Sequence, residues 1–296
     1  MMSVRLLLSA AERGLAAAGV ASPRTDAELL LAHVVGVHRN QLLLVDDLDP
    51  ARREQYELLV GRRAAREPLQ HLTGTAAFRG VELAVGPGVF VPRPETELLA
   101  GWAVDALCRL SSSAGRAPVA VDLCTGSGAI AAALVDEVPG VRMHAVELSP
   151  VAYGYAERNL AGIGVELHME DIEHACSDLD GTVDVVVANP PYIPLDAFES
   201  VDVEARTHDP ALALWSGADG LDAIRSVERV AARLLRADGA LGCEHADVQG
   251  HSVMQILTAA GRWADVRDHD DLADRPRFVT AVATGAADGW HDRRRE

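Results

Sequence analysis

From Val119 onward the chain alternates short apolar runs with helix-length amphipathic stretches, and nothing else in the sequence restricts the fold as strongly. Val119-Ala120-Val121-Asp122-Leu123, Val141 to Val146 and Val165 to Met169 read as strands, and Val183 to Ala188 as a buried strand. Helices are expected to open at Ala129 and to run through Ile224, Val227, Val230 and Leu234 on one apolar face. Strands alternating with helices build a parallel sheet covered on both sides. Gly239 to Glu244 adds a strand and Val248 to Ala260 a helix. Trp263 to Asp268 and Phe278 to Val282 then form a closing antiparallel pair. The fold class is α/β, a Rossmann-like domain.

The fourth strand stops abruptly at Asn189-Pro190-Pro191-Tyr192. Two successive prolines offer no N–H to a ladder, so the chain must leave the sheet there. Ligands of open α/β sheets bind just past the carboxyl ends of strands, which makes Asn189, Pro190, Pro191 and Tyr192 candidate site residues. The Asn189 side-chain carbonyl and the Pro190 backbone carbonyl are acceptors for the two hydrogens of an NH2 group. The Tyr192 ring can cover a flat amide or base. An amide nitrogen is a poor nucleophile, and acceptors on both its hydrogens stabilise the positive charge that grows during attack. A plain strand-to-loop turn with a packed tyrosine is the competing reading.

The first strand of the alternation leads into Cys124-Thr125-Gly126-Ser127-Gly128. Glu147 ends the next strand about 20 residues later, the offset at which a nucleotide fold brings a carboxylate to a ribose. Asp171 follows the third strand, where an adenine edge would lie, with Ile172 after it. Gly126-Ser127-Gly128-Ala129-Ile130-Ala131 also satisfies G-x-G-x-x-A, so a dinucleotide site stays open. No Lys-Ser/Thr follows, which excludes a P-loop. Asp122 beside the turn would repel a pyrophosphate and suits a ligand carrying an amine. S-adenosylmethionine, with an adenosine, an α-amino group and no phosphate, fits this set better than NAD.

Residues 1–75 read as helices, with Val4, Leu7, Leu8, Ala11 and Leu15 on one face. Thr25-Asp26-Ala27-Glu28 fits a capping box for a helix continuing through Leu30, Leu31 and Val34. Asp49-Pro50 opens another helix, expected to reach Arg66. This helical unit carries no catalytic constellation and is either a structural cap or a substrate-docking domain. Residues 76–93 alternate like a hairpin turning at Gly86-Pro87-Gly88. Pro92-Arg93-Pro94-Glu95-Thr96-Glu97 then starts a helix through Leu98, Leu99 and Trp102, as a linker or as a site wall. The main domain spans 94–286, and 287–296 is a polar tail expected to be disordered.

The net charge of −17 argues against non-specific binding to phosphate backbones and leaves a protein partner with a basic surface open. All 27 basic residues are arginine. The four cysteines form no C-x-x-C pair, which suits a reducing compartment and gives no zinc signature, so no metal is expected. Glu12 and Arg13 break the apolar N-terminal run too early for a secretory leader. No apolar stretch approaches the roughly 18 residues of a membrane span. The expected location is cytoplasmic. None of the 11 histidines shows ligand or triad spacing, and His144 and His168 read as structural strand residues.

On these residues the chain resembles the release-factor glutamine N5-methyltransferases, the HemK-like proteins. The likeness runs from about residue 20 to 284. It rests on Glu67-Pro68-Leu69-Gln70-His71-Leu72-Thr73-Gly74, Pro92-Arg93-Pro94-Glu95-Thr96-Glu97, Asp122-Leu123-Cys124-Thr125-Gly126-Ser127-Gly128, Asn189-Pro190-Pro191-Tyr192-Ile193 and Gly217-Ala218-Asp219-Gly220-Leu221-Asp222. The resemblance implies a helical N-terminal domain, a connecting hairpin and a seven-stranded class I methyltransferase domain. It implies methyl transfer from S-adenosylmethionine, leaving S-adenosylhomocysteine, to the glutamine of the Gly-Gly-Gln loop of class I peptide chain release factors. It places Asp122, Cys124, Thr125, Gly126, Ser127, Gly128, Glu147, Asp171, Ile172 and Asn189 at the cofactor, and Asn189, Pro190, Pro191 and Tyr192 at the substrate amide. Position 124, commonly glycine in the family, is cysteine here, so the backbone must tolerate a side chain, which weakens any claim that it needs a positive φ. Ile172 stands where the family often has an aromatic ring. Glu244-His245 departs from the usual pattern and reads as structural drift.

Rival readings are an adenine or guanine amino methyltransferase, which uses the same turn but usually carries a basic groove, a NAD oxidoreductase, and a non-enzymatic scaffold. No direct nucleic-acid binding is expected.

Overall fold

The protein was described from a computed structural model covering residues 3–285. The polar tail therefore lies outside the described residues. The chain divides into two compact units, one made of residues 1–75, 85–87 and 201–208 and the other of the remainder.

The first unit is helical: α1 (Val4–Ala17), α2 (Pro23–Val35), α3 (Pro50–Ala64) and α4 (Leu69–Thr73). The five apolar residues of α1 named above are all buried, with Leu30, Leu31, Tyr56 and Leu59 beside them. Asp49 caps α3 by accepting from the Arg52 N–H at 2.9 Å, with Pro50 in the first turn as expected. The capping box is not formed. Ser22 precedes the helix and Pro23 starts it, so Thr25 already lies within the first turn, and Glu28 pairs with Arg24 and Arg39 instead. Arg63 is buried and makes a 2.7 Å bond to buried Asp26. Helix α3 ends at Ala64, short of Arg66, which sits at φ 69°.

The hairpin is β1 (Thr75–Phe78) and β2 (Val81–Ala84), turning at Arg79-Gly80 and not at Gly86-Pro87-Gly88. Val85 N–H closes its open end on the Gly74 carbonyl, so the strands finish before Pro87. The guanidinium of Arg79, itself at φ 49°, is held by the Glu137 carboxylate and the Glu97 carbonyl. Those partners outweigh the left-handed cost of roughly 1–2 kcal/mol for a residue other than glycine.

The second unit continues with α5 (Thr96–Ala114), β3 (Val119–Leu123), α6 (Ala129–Glu137), β4 (Arg142–Glu147), α7 (Pro150–Leu160), β5 (Val165–Met169) and β6 (Val183–Ala188). After α8 (Val203–His208), which belongs to the helical unit, come α9 (Ala211–Leu214), α10 (Asp222–Leu234), β7 (Leu235–Glu244), α11 (Gly250–Ala260), β8 (Trp263–Asp270) and β9 (Pro276–Ala283). One sheet of seven strands runs in the order β5-β4-β3-β6-β7-β9-β8. The first five are parallel, and β9 and β8 close the edge antiparallel. Every residue of β3 and β6 is buried, which explains their unbroken apolar runs. Burying each valine of such a run is worth roughly 1.5–3 kcal/mol before entropy is counted. Helix α10 packs Ile224, Val227, Val230 and Leu234 onto the same core.

The strand order explains where a ligand goes. From β3 the chain builds outward through β4 to β5, then returns to add β6 on the other side of β3. The pair β3–β6 is therefore the switch point, where open α/β sheets leave a crevice outside their carboxyl ends.

Candidate active site

The turn after β3 forms one wall of that crevice. Asp122 is fully buried, and its Oδ2 accepts from the Thr125 hydroxyl at 2.6 Å while Oδ1 has no partner. Burial pushes its carboxyl up to about 7, against hydrogen bonds from Thr125 and the Ala131 backbone. The Thr125 N–H donates to the Val146 carbonyl at 2.9 Å and ties the turn to β4. Cys124 sits at φ 64°, so the position takes a positive φ and tolerates a side chain there. Gly126, at φ +59°, faces open space: a Cβ there would meet nothing within 4 Å. Buried Ser127 gives its carbonyl to Asn159 Nδ2 at 2.8 Å, and Gly128 caps α6.

Glu147, at the tip of β4, is drawn onto this turn. Its Oε2 accepts from the Gly126 N–H at 2.8 Å and its Oε1 from the Ser149 N–H at 2.7 Å. Burial raises its pKa against those backbone hydrogen bonds. Each carboxylate oxygen keeps a lone pair for a ligand hydroxyl. Asp171, after β5, is exposed and caps a short turn by accepting from the Glu173 N–H at 3.0 Å. Ile172 is half-buried against the core.

The other wall is the turn after β6. Asn189 is half-buried and its Nδ2 donates to Thr96 Oγ1 at 3.2 Å. Pro190 is buried, and Pro191 and Tyr192 are half-buried. The Tyr192 ring packs against the core, and its hydroxyl donates to Glu244 Oε1 at 3.4 Å. Burial raises the Tyr192 phenol and pushes the Glu244 carboxyl up to about 7, the latter against a hydrogen bond from Thr96, the charge of Arg277 and the Tyr192 hydroxyl. The turn is pinned from the far side by Gln249, whose Nε2 donates to the Tyr192 carbonyl at 2.8 Å and the Asp219 carbonyl at 3.3 Å. Ile193 and Leu195 bond the backbone at Leu214 and Gly217.

Strand register sets the turns after β3 and β6 side by side, Leu123 pairing with Ala188, with Glu147 at the tip of β4 bonded to the first turn and Asp171 and Ile172 following β5. Thr96, left open as helix start or site wall, lies beside Asn189. Glu244, read as drift, and Gln249, not singled out, hold the Asn-Pro-Pro-Tyr turn through the Tyr192 hydroxyl and carbonyl. Arg93 pairs with buried Asp209 at 2.5 Å and lies over the Phe90 ring. His144 and His168 stack with ring centroids 5.6 Å apart. With Cys176 they are the one group among the described residues with metal-ligand proximity. Burial holds the Cys176 thiol protonated, pushed up to about 12.

Residues 7–74 match the family described as PrmC N-terminal domain, and residues 106–203 match the methyltransferase small domain. A release factor glutamine methyltransferase of Streptomyces coelicolor is 57% identical over 271 residues, 92% of this chain and 95% of that protein. A 4-amino-L-phenylalanine/4-methylamino-L-phenylalanine methyltransferase of Streptomyces pristinaespiralis is 42% identical, over 81% of this chain and 82% of that protein. Among solved structures, the hMettl16 catalytic domain in complex with an RNA hairpin shares the fold at a TM-score of 0.54 and 14% identity, covering 78% of this chain and 84% of that one. No helix among the described residues is long and apolar enough to cross a membrane. The chain belongs to the release factor glutamine methyltransferase family.

Proposed function

We propose that this protein transfers a methyl group from S-adenosylmethionine to the side-chain amide nitrogen of the glutamine in the Gly-Gly-Gln loop of class I peptide chain release factors, in the cytoplasm. The observation that carries the reading is the pairing of two turns across the β3–β6 switch point: one open at Gly126 beside two carboxylates, the other presenting Asn189 and Pro190.

The donor fits the first turn. Glu147 retains acceptor capacity for both ribose hydroxyls, and the unpartnered, buried Oδ1 of Asp122 is an acceptor for the α-ammonium. When bound, S-adenosylmethionine supplies an electrophilic methyl that the amide nitrogen displaces from sulfur. Asn189 Oδ1 and the Pro190 carbonyl accept the two amide hydrogens and stabilise the charge that grows on nitrogen. No strong base is required, because the proton is acidic once the nitrogen is alkylated. Tyr192 walls the amide pocket, and residues 1–75 dock the protein substrate.

Two other readings share the turn. A free aryl amine draws support from the relative of Streptomyces pristinaespiralis, but the Streptomyces coelicolor relative is closer in identity, 57% against 42%, and in coverage. A nucleobase substrate is disfavoured by the net charge of −17. The test is to incubate the protein with S-adenosylmethionine and a purified release factor and to map the modified factor by mass spectrometry. One added methyl on the Gly-Gly-Gln peptide is expected; an unmodified loop peptide would overturn the proposal.

A further inference from the structure

The Asn189 amide has two ends of nearly equal size, and only one orientation serves an amide substrate. Its oxygen must face the substrate NH2 and its own NH2 must face away. In the structure Nδ2 points at Thr96 Oγ1, 3.2 Å away, across 93 residues of sequence. A threonine hydroxyl both donates and accepts, so by itself it does not choose an end of the amide.

The choice is made one layer deeper. Thr96 is 4% exposed and Glu244 is 2% exposed, so neither has bulk water as an alternative partner. The Thr96 hydroxyl is within reach to donate to the Glu244 carboxylate. Burial raises the Glu244 carboxyl to about 7, and above that pH, where it is ionised, it only accepts. Glu244 Oε1 takes the Tyr192 hydroxyl at 3.4 Å, and Oε2 has no well-aligned partner, so the carboxylate still lacks a donor. With its proton turned toward Glu244, Thr96 presents only lone pairs to Asn189. The amide then has to turn its NH2 inward and its oxygen outward.

We infer that Thr96, backed by Glu244, is a positioning residue for methyl transfer, fixing the Asn189 side chain with its oxygen toward the substrate NH2. The inference rests on the proposed amide methylation. Glu244 also holds the Tyr192 hydroxyl, so one buried carboxylate sets both polar ends of the Asn-Pro-Pro-Tyr turn.

The test, run at about pH 8.5 so that Glu244 is ionised, compares methyl transfer to a release factor by wild type, Thr96→Val, Thr96→Ser and Glu244→Gln, each alone and combined with Asn189→Ala. Thr96→Val keeps the shape and removes the hydroxyl, and it is expected to lower kcat about 10²-fold, the scale of a mispositioned reactive group. Thr96→Ser, which keeps the hydroxyl, is expected to recover activity to within about threefold of wild type. Glu244→Gln, which offers Thr96 a donor and lets the amide flip, should also lower kcat. In the Asn189→Ala background Thr96→Val should cost nothing further, because a residue acting through Asn189 has nothing left to position, whereas Glu244→Gln keeps only the part of its cost that runs through the Tyr192 hydroxyl. Full activity in Thr96→Val, or a loss of the same size with and without Asn189, would overturn the inference. The wild-type control separates the two claims, since no transfer by wild type would sink the underlying reaction, whereas transfer by wild type and Thr96→Val alike would sink only the positioning role.

Discussion

Gly220 lies against the backbone carbonyl of Tyr192: a Cβ at position 220 would stand 2.4 Å from that oxygen and 2.7 Å from Gln249 Nε2. Gly220 also adopts φ +76°. The Gly-Ala-Asp-Gly stretch therefore supports the Asn-Pro-Pro-Tyr turn from behind. Gly220→Ala is expected to lose about 2–4 kcal/mol of stability from overpacking and left-handed strain together. Activity should fall by more than the unfolded fraction explains. Denaturant unfolding with a parallel transfer assay checks this; a variant of wild-type stability would refute the contact.

Asn189→Ala removes the side-chain acceptor proposed for the substrate amide. Turnover is expected to fall by about 10²–10³, the scale for losing one preorganised polar partner of developing charge. Steady-state transfer to a release factor measures it, and near-wild-type turnover would remove Asn189 from the chemistry.

Glu147→Gln keeps the size of the side chain but loses the charge that accepts from the Gly126 and Ser149 N–H groups. Charge-assisted hydrogen bonds are worth roughly 1.5–3 kcal/mol, so S-adenosylmethionine should bind about 10–100-fold more weakly. Calorimetric titration gives the answer directly, and unchanged affinity would move the ribose contact elsewhere.

Glu244 carries a pH signature. Its carboxyl is raised from 4.5 to about 7 by burial, so between those values the folded state holds a proton that the unfolded state has released. Stability contributed by this group is full below the unfolded pKa and is lost as pH rises through the folded one. Glu244→Gln cannot ionise, so its stability relative to wild type should improve from about pH 5 to about pH 8, by no more than about 3 kcal/mol. Paired unfolding curves across that range test it; a constant difference would mean that Glu244 ionises freely in the folded protein.

Local pattern was legible and distant contact was not. The limits of β3 and β6 coincide with the apolar runs, because strands buried on both faces need such runs, and those of edge strand β5, which has no buried residue, also match. The hairpin turn went to Gly86-Pro87-Gly88 because glycine and proline are strong local turn signals, whereas the actual turn is held by the partners of Arg79, residues 97 and 137, far along the chain. The capping box failed for a similar reason: Pro23 had already started α2. The cysteine at position 124 weakened the case for a positive φ there, yet the turn adopts one, at φ 64°. Asn189 was visible from its motif, but its hold on Thr96 and the Glu244 carboxylate below joins three segments that no sequence period connects.

The most direct test of the central claim offers labelled S-adenosylmethionine and four acceptors side by side: a purified release factor, the same factor with its Gly-Gly-Gln glutamine changed to alanine, 4-amino-L-phenylalanine and total RNA. Label in the intact factor alone is the predicted result. Equal label in the alanine variant, or label in the amine or the RNA with none in the factor, would contradict it.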